Sequence, residues 1–118
     1  MAVLVLADVC GQTQEDYDGM LAALEPLLEA APGFIAHGAG PVGSGWWKTF
    51  EVWETQGEAT AFFAKHVHPK LPPGVTPKRT IIELHALVVG PMVDLLRGRD
   101  VETYIPGLSR AVGAGAIR

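Results

Sequence analysis

The sequence predicts an α+β domain whose strands and helices follow the order βαββαβ, and three observations carry that reading. Residues 2–9 form an apolar, β-branched run of strand length closed by Gly11. Tyr17, Met20, Leu21, Leu24, Leu27, Leu28 and Ala31 then recur at three- and four-residue spacing, the period of a helix with one apolar face. Two more strand-like stretches, residues 34–40 and 46–53, flank Pro41-Val42-Gly43-Ser44-Gly45, whose turn chemistry predicts a hairpin between them.

Each element has a local cause. Thr13 offers an N-cap to the first helix, and Gln14, Glu15 and Asp16 fill its first turn, where acidic groups suit the helix dipole. Pro26 removes a backbone donor inside that helix and is expected to bend it or loosen one turn, and Pro32-Gly33 ends it. Residues 58–66 predict a shorter second helix with Ala59, Phe62 and Phe63 inward, closed by His68-Pro69. Prolines stiffen the connector over residues 71–77, and residues 78–89 predict the fourth strand. This order packs two helices on one face of a four-stranded antiparallel sheet, the ferredoxin-like arrangement. Residues 1–89 make up the domain and residues 90–118 a C-terminal extension, in which Met92, Leu95 and Leu96 have the spacing of a short helix over residues 91–97. The sheet face away from the helices carries apolar residues as well, and in so short a chain a second copy is the expected cover, hence a homodimer.

Composition narrows the function. The 118 residues are 48% hydrophobic and 19% charged, the balance of a globule rather than a disordered chain. A net charge of −4 with no basic stripe argues against a nucleic-acid partner. The N-terminal residues lack a positive flank and meet Asp8 early, so neither a signal peptide nor a membrane span is expected. The single cysteine, Cys10, has no intramolecular partner, which suits a reducing, cytoplasmic setting.

Candidate chemistry concentrates on the strands. Alternation over Trp46–Trp53 places Trp47, Thr49, Glu51 and Trp53 on one face. A carboxylate among indole rings is expected to be desolvated, with a raised pKa suited to general acid or base work; the plainer reading is a rim carboxylate paired with a basic residue. On the fourth strand, the same alternation aligns Glu83 with His85, either as an acid-tuned base or as a pair filling a dimer interface. His37 precedes Gly38 and Gly40, where the backbone either approaches a ligand closely or bulges. Tyr17, Trp47, Trp53, Phe62 and Phe63 make a flat, apolar or aromatic small molecule the expected ligand. His66-Val67-His68 cannot share a helix face, and Gly38-Ala39-Gly40 opens no helix, so no metal, haem, flavin or nucleotide cofactor is expected.

Ala31-Pro32-Gly33-Phe34 and the segment Glu51-Val52-Trp53-Glu54-Thr55-Gln56-Gly57-Glu58-Ala59 resemble the dimeric α+β barrel superfamily, in particular its antibiotic biosynthesis monooxygenase-like family. The likeness covers residues 2–89. It implies a homodimer with a pocket between sheet and helices in each subunit, and small-molecule chemistry of specialised, polyketide-type metabolism: cofactor-independent oxygenation, haem degradation, cyclisation or isomerisation. Trp53 matches the pocket tryptophan of several oxygenases. The asparagine and tyrosine that accompany it in quinone-forming oxygenases are Thr49 and Ala59 here, and the haem degraders' tryptophan is Phe62, with no histidine at their haem-ligand position. These departures point away from haem degradation, leaving monooxygenase-like chemistry with a cyclase or isomerase, or a non-catalytic binding dimer, as the alternatives.

Overall fold

The computed structural model describes residues 1–43 and 45–90 of the chain. In chain order the elements are β1 (Val3–Cys10), α1 (Gln14–Glu29), β2 (Phe34–Pro41), β3 (Trp46–Trp53), α2 (Gln56–Phe62) and β4 (Lys78–Glu83). All lie within one unit, Met1–Leu87. The helix expected over residues 91–97 lies outside the described residues.

The strands form one antiparallel sheet in the order β2-β3-β1-β4. β1 alternates as its sequence demands, with Val3, Val5, Ala7 and Val9 buried and Leu4 and Leu6 half-buried on the other face. The buried side receives both helices: Leu24 and Leu28 from α1, and Ala59 and Phe62 from α2, pack with Val3, Val5 and Trp53 into one core. Each of the larger apolar side chains contributes about 1.5–3 kcal/mol when fully buried. Trp53 sits at the centre with no exposure, its ring edge-on to Phe34 and tilted against Phe62. The opposite face leaves Trp46, Phe50 and Ile82 43–46% exposed.

Thr13 caps α1 by accepting the Asp16 amide at 3.0 Å. The helix runs through Pro26 to Glu29, because the proline falls near its end and its carbonyl still receives the Ala30 amide at 3.3 Å. Thr55 caps α2 in the same way and donates its hydroxyl to Glu58, so the helix begins at Gln56 rather than at residue 58. Beyond Phe62 it widens into a π-helical turn, Phe63–Val67, and ends in a tight turn, His68–Lys70, where Pro69 cannot continue the ladder.

The fourth strand is shorter than residues 78–89. β4 pairs with β1 alone, and the register Val3↔Glu83 reaches the start of β1. One further bond, from the Leu84 amide to the Ala2 carbonyl, closes the ladder, and β1 offers no backbone to pair with residues 85–89. His85 is therefore off the strand and exposed, and the expected alignment with Glu83 does not form.

Candidate active site

A cavity of about 90 Å³ lies between the sheet and the two helices. Its wall is mostly apolar, with Val5, Ala7, Leu24, Leu28, Phe62 and Phe63 among its members. Into this wall project Tyr17, His37, Glu51 and Arg79, with Gln12 and Thr49.

Three of these groups form a chain of hydrogen bonds. The Tyr17 hydroxyl lies 2.6 Å from His37 Nε2, His37 Nδ1 lies 3.1 Å from Glu51 Oε2, and the Trp53 indole donates to Glu51 Oε1 at 2.9 Å. An ionised carboxylate only accepts, so the hydrogen between His37 and Glu51 belongs to Nδ1. In the neutral ring Nε2 is then the acceptor of the Tyr17 hydroxyl. The His37 and Glu51 side chains are 16% and 18% exposed, so water competes weakly for these bonds.

The backbone explains why these residues meet. Phe34 pairs with Trp53, but Ala36 pairs with Val52, a one-residue slip at Ile35. Without that bulge Ala36 would lie opposite Glu51; with it, His37 does. Gly38 serves packing instead, since the Phe50 ring lies where a Cβ would collide with it, while Gly40 has open space around it. Tyr17, in the first turn of α1, stacks on Trp47 at 4.9 Å between centroids, which holds its hydroxyl over β2.

The electrostatics differ from expectation at Glu51. Burial pushes its carboxyl upward, but the hydrogen bond and charge of His37, the Trp53 indole and the Arg79 charge outweigh burial and hold it below the ordinary carboxylate value. Glu51 is thus an ionised orienting group rather than a carboxylic acid kept neutral by its surroundings. Tyr17 moves the other way: burial first, then the charges of Glu51 and Asp18, push its hydroxyl up to about 12, so it remains a neutral phenol. Burial draws the Arg79 guanidinium below its usual value, and the Glu51 charge opposes this.

Of the candidate residues, the structure brings together Glu51, His37, Tyr17, Phe62 and Phe63. Trp53 and Trp47 stand behind the cavity wall, the first fully enclosed and bonded to Glu51, the second buried beneath Tyr17. Neither can touch a ligand there, so both act through a neighbour. His85 lies away from the cavity, because the pairing that would extend β4 to it stops at the start of β1. Arg79 is a site residue that the sequence reading misses, although alternation on β4 puts it on the face of Ile81, which packs on the core. Among the described residues, no group of three or more metal-ligating side chains converges. No described helix is long and apolar enough to cross a membrane.

The architecture, four antiparallel strands with two helices on one face, is the ferredoxin-like α+β fold, and solved structures share it. SnoaB, a cofactor-independent oxygenase from Streptomyces nogalater, is similar with a TM-score of 0.59 at 13% identity, covering 74% of this chain and 96% of that one. Rv0793 from Mycobacterium tuberculosis is similar with a TM-score of 0.54 at 13% identity, over 75% of this chain and 100% of that one. The haem degrader MhuD from Mycobacterium tuberculosis gives 0.52 at 22% identity, over 76% of this chain and 100% of that one. At these identities the likeness establishes the fold. No protein-family model matches the chain, and no curated protein sequence matches it.

Proposed function

We propose that this protein is a small-molecule enzyme that removes a proton from an apolar or aromatic substrate, using His37 as base, Glu51 as its orienting carboxylate and Tyr17 as the hydroxyl that carries the proton to it. The observation that carries the reading is the unbroken Tyr17–His37–Glu51 chain, all three members of which line an apolar cavity. A phenolic or enolic substrate that donates its proton to the Tyr17 oxygen, as the Tyr17 proton passes to Nε2, becomes an electron-rich anion. The resulting imidazolium faces an ionised Glu51 that stabilises it. An anion of this kind reacts with molecular oxygen without a bound cofactor, and the fold shared with the cofactor-independent oxygenase SnoaB supports oxygenation. Cofactor-independent monooxygenation is therefore the leading reaction, and specialised, polyketide-type metabolism the setting we propose for it.

The same relay supports a cyclase or isomerase if the proton returns to a different atom, and Thr49 and Ala59 at the family's asparagine and tyrosine positions favour that second reading. An oxygen electrode separates them. With single-ring phenols and enolisable ketones as substrates, oxygen uptake matched to product formation is expected. Conversion at an unchanged rate under nitrogen assigns the isomerase reading, and saturable binding without conversion assigns a binding protein.

We also infer that the chain is a homodimer joined through the sheet face that carries Leu4, Leu6, Trp46, Phe50 and Ile82. Three of these are more than two-fifths exposed in the single chain, an apolar surface of the kind subunit contacts cover. Sedimentation is expected to give a dimer at micromolar concentration, and Phe50→Lys, which sets a charge on that face, a monomer. A monomeric parent chain would sink this assembly.

A further inference from the structure

One charged group on the cavity wall has no part in the proton relay. Arg79 sits on β4 opposite Ala7, half-buried, with its guanidinium 4.0 Å from the centroid of the Phe63 ring. Among the described residues it makes no side-chain hydrogen bond and no ion pair. Glu51, whose charge reaches it, already has one oxygen on His37 and the other on Trp53. A partly desolvated guanidinium with its donors free is costly unless an acceptor arrives.

A second cleft adjoins the cavity and shares Phe63, Leu71, Pro77 and Arg79 with it; His68 and Thr76 also line this cleft. Arg79 is therefore the polar group at the junction between the apolar cavity and the adjoining cleft. Its planar fork, lying over an aromatic ring, matches the two oxygens of a carboxylate. A dianion fits less well, because the ionised Glu51 repels it and Arg79 supplies a single positive charge. The inner cavity, at about 90 Å³, is smaller than the engineered cavity of about 150 Å³ that accepts benzene, so it holds the apolar part to a short chain or at most one ring that reaches toward the adjoining cleft.

We propose that the substrate is an organic acid, with a compact apolar or single-ring body in the inner cavity beneath the Tyr17 hydroxyl and its carboxylate on Arg79 at the junction with the outer cleft. The orientation of the body rests on the acid/base reading above; the anion site stands on Arg79 alone. Arg79 thus selects the substrate and fixes which of its atoms faces the relay, and it takes no proton itself.

Calorimetric titration of the full chain with phenylacetate and with phenylacetamide tests this, because the pair differs chiefly in charge. The acid is expected to bind about tenfold or more tightly than the amide. Arg79→Gln should abolish that preference, and Arg79→Lys should keep part of it. The two readings part in the readout: a full acid-over-amide preference in a parent chain that shows no turnover upholds the acid site while the relay fails, and turnover without that preference does the reverse. Equal affinity for acid and amide in the parent overturns the proposal, as does saturable binding of neither, or a preference that survives Arg79→Gln. If Arg79→Gln does not fold, the acid-to-amide ratio in the parent and in Arg79→Lys decides.

Discussion

Replacing His37 with Asn lowers turnover by roughly 10²–10⁴-fold, the loss typical of a missing general base. Asparagine keeps a polar group between Tyr17 and Glu51 but has no basic nitrogen to take the proton, so affinity should change far less than rate. Tyr17→Phe should also reduce the rate, since it removes the hydroxyl that joins the cavity to Nε2 at 2.6 Å. Glu51→Gln places an amide where both bonds require an acceptor, the imidazole at 3.1 Å and the indole at 2.9 Å, so it satisfies one and disturbs the other. The pH behaviour carries its own signs. The Tyr17 value is raised from 10.0 to about 12, so the stability held in its neutral form is complete below pH 10.0 and is lost as pH rises through about 12. The phenolate absorbance of the parent minus that of Tyr17→Phe should accordingly titrate near 12. For Glu51 the shift is downward from 4.5, so its contribution is complete above pH 4.5 and is lost as pH falls through the lowered value. Full turnover by His37→Asn on a substrate that the parent converts would remove the relay from the mechanism.

The parts of this site legible in the sequence are those that depend on one element at a time. Period-two alternation within β3 is enough to put Glu51 and Trp53 on one face, and the three-to-four spacing within α1 is enough to turn Tyr17 inward. What joins His37 to Glu51 is a relation between strands. It depends on a one-residue slip at Ile35, and a bulge at that residue has no signature stronger than those of the glycines further along, where a bulge is the more natural reading. His85 illustrates the same limit: its segment is apolar and β-branched enough for a strand, but strand length is set by the partner, and β1 begins at Val3. The direction of the Glu51 shift depends on neighbours rather than on burial alone. An indole that counts as apolar surroundings in the sequence supplies a hydrogen bond to the ionised form in the structure. Arg79 is hidden because an arginine beside Lys78 at the start of a strand reads as solvated, whereas its face is set by Ile81 two residues on.

Trp53→Ala is expected to be the most destabilising single substitution among the described residues, by about 3–5 kcal/mol, because the side chain is fully enclosed and its loss leaves a cavity between sheet and helices. Against a total stability of roughly 5–15 kcal/mol for a domain, that approaches global unfolding. Trp53→Phe separates the two contributions of this residue. Phenylalanine retains much of the packing against Phe34 and Phe62 but lacks the N–H that reaches Glu51 Oε1 at 2.9 Å. A largely buried, ionised carboxylate then loses one of its two partners, at a further cost of about 1–3 kcal/mol. Chemical denaturation of Trp53→Phe, Glu51→Gln and the double variant forms a cycle that isolates this bond. The two changes should be less damaging together than their sum, since an uncharged amide in place of the carboxylate has less need of the indole donor. If Trp53 serves only as core packing, the cycle closes additively and Trp53→Phe leaves turnover intact. If it also holds Glu51 in line with His37, the variant loses rate at unchanged affinity, and an additive cycle with a full rate would confine Trp53 to the core.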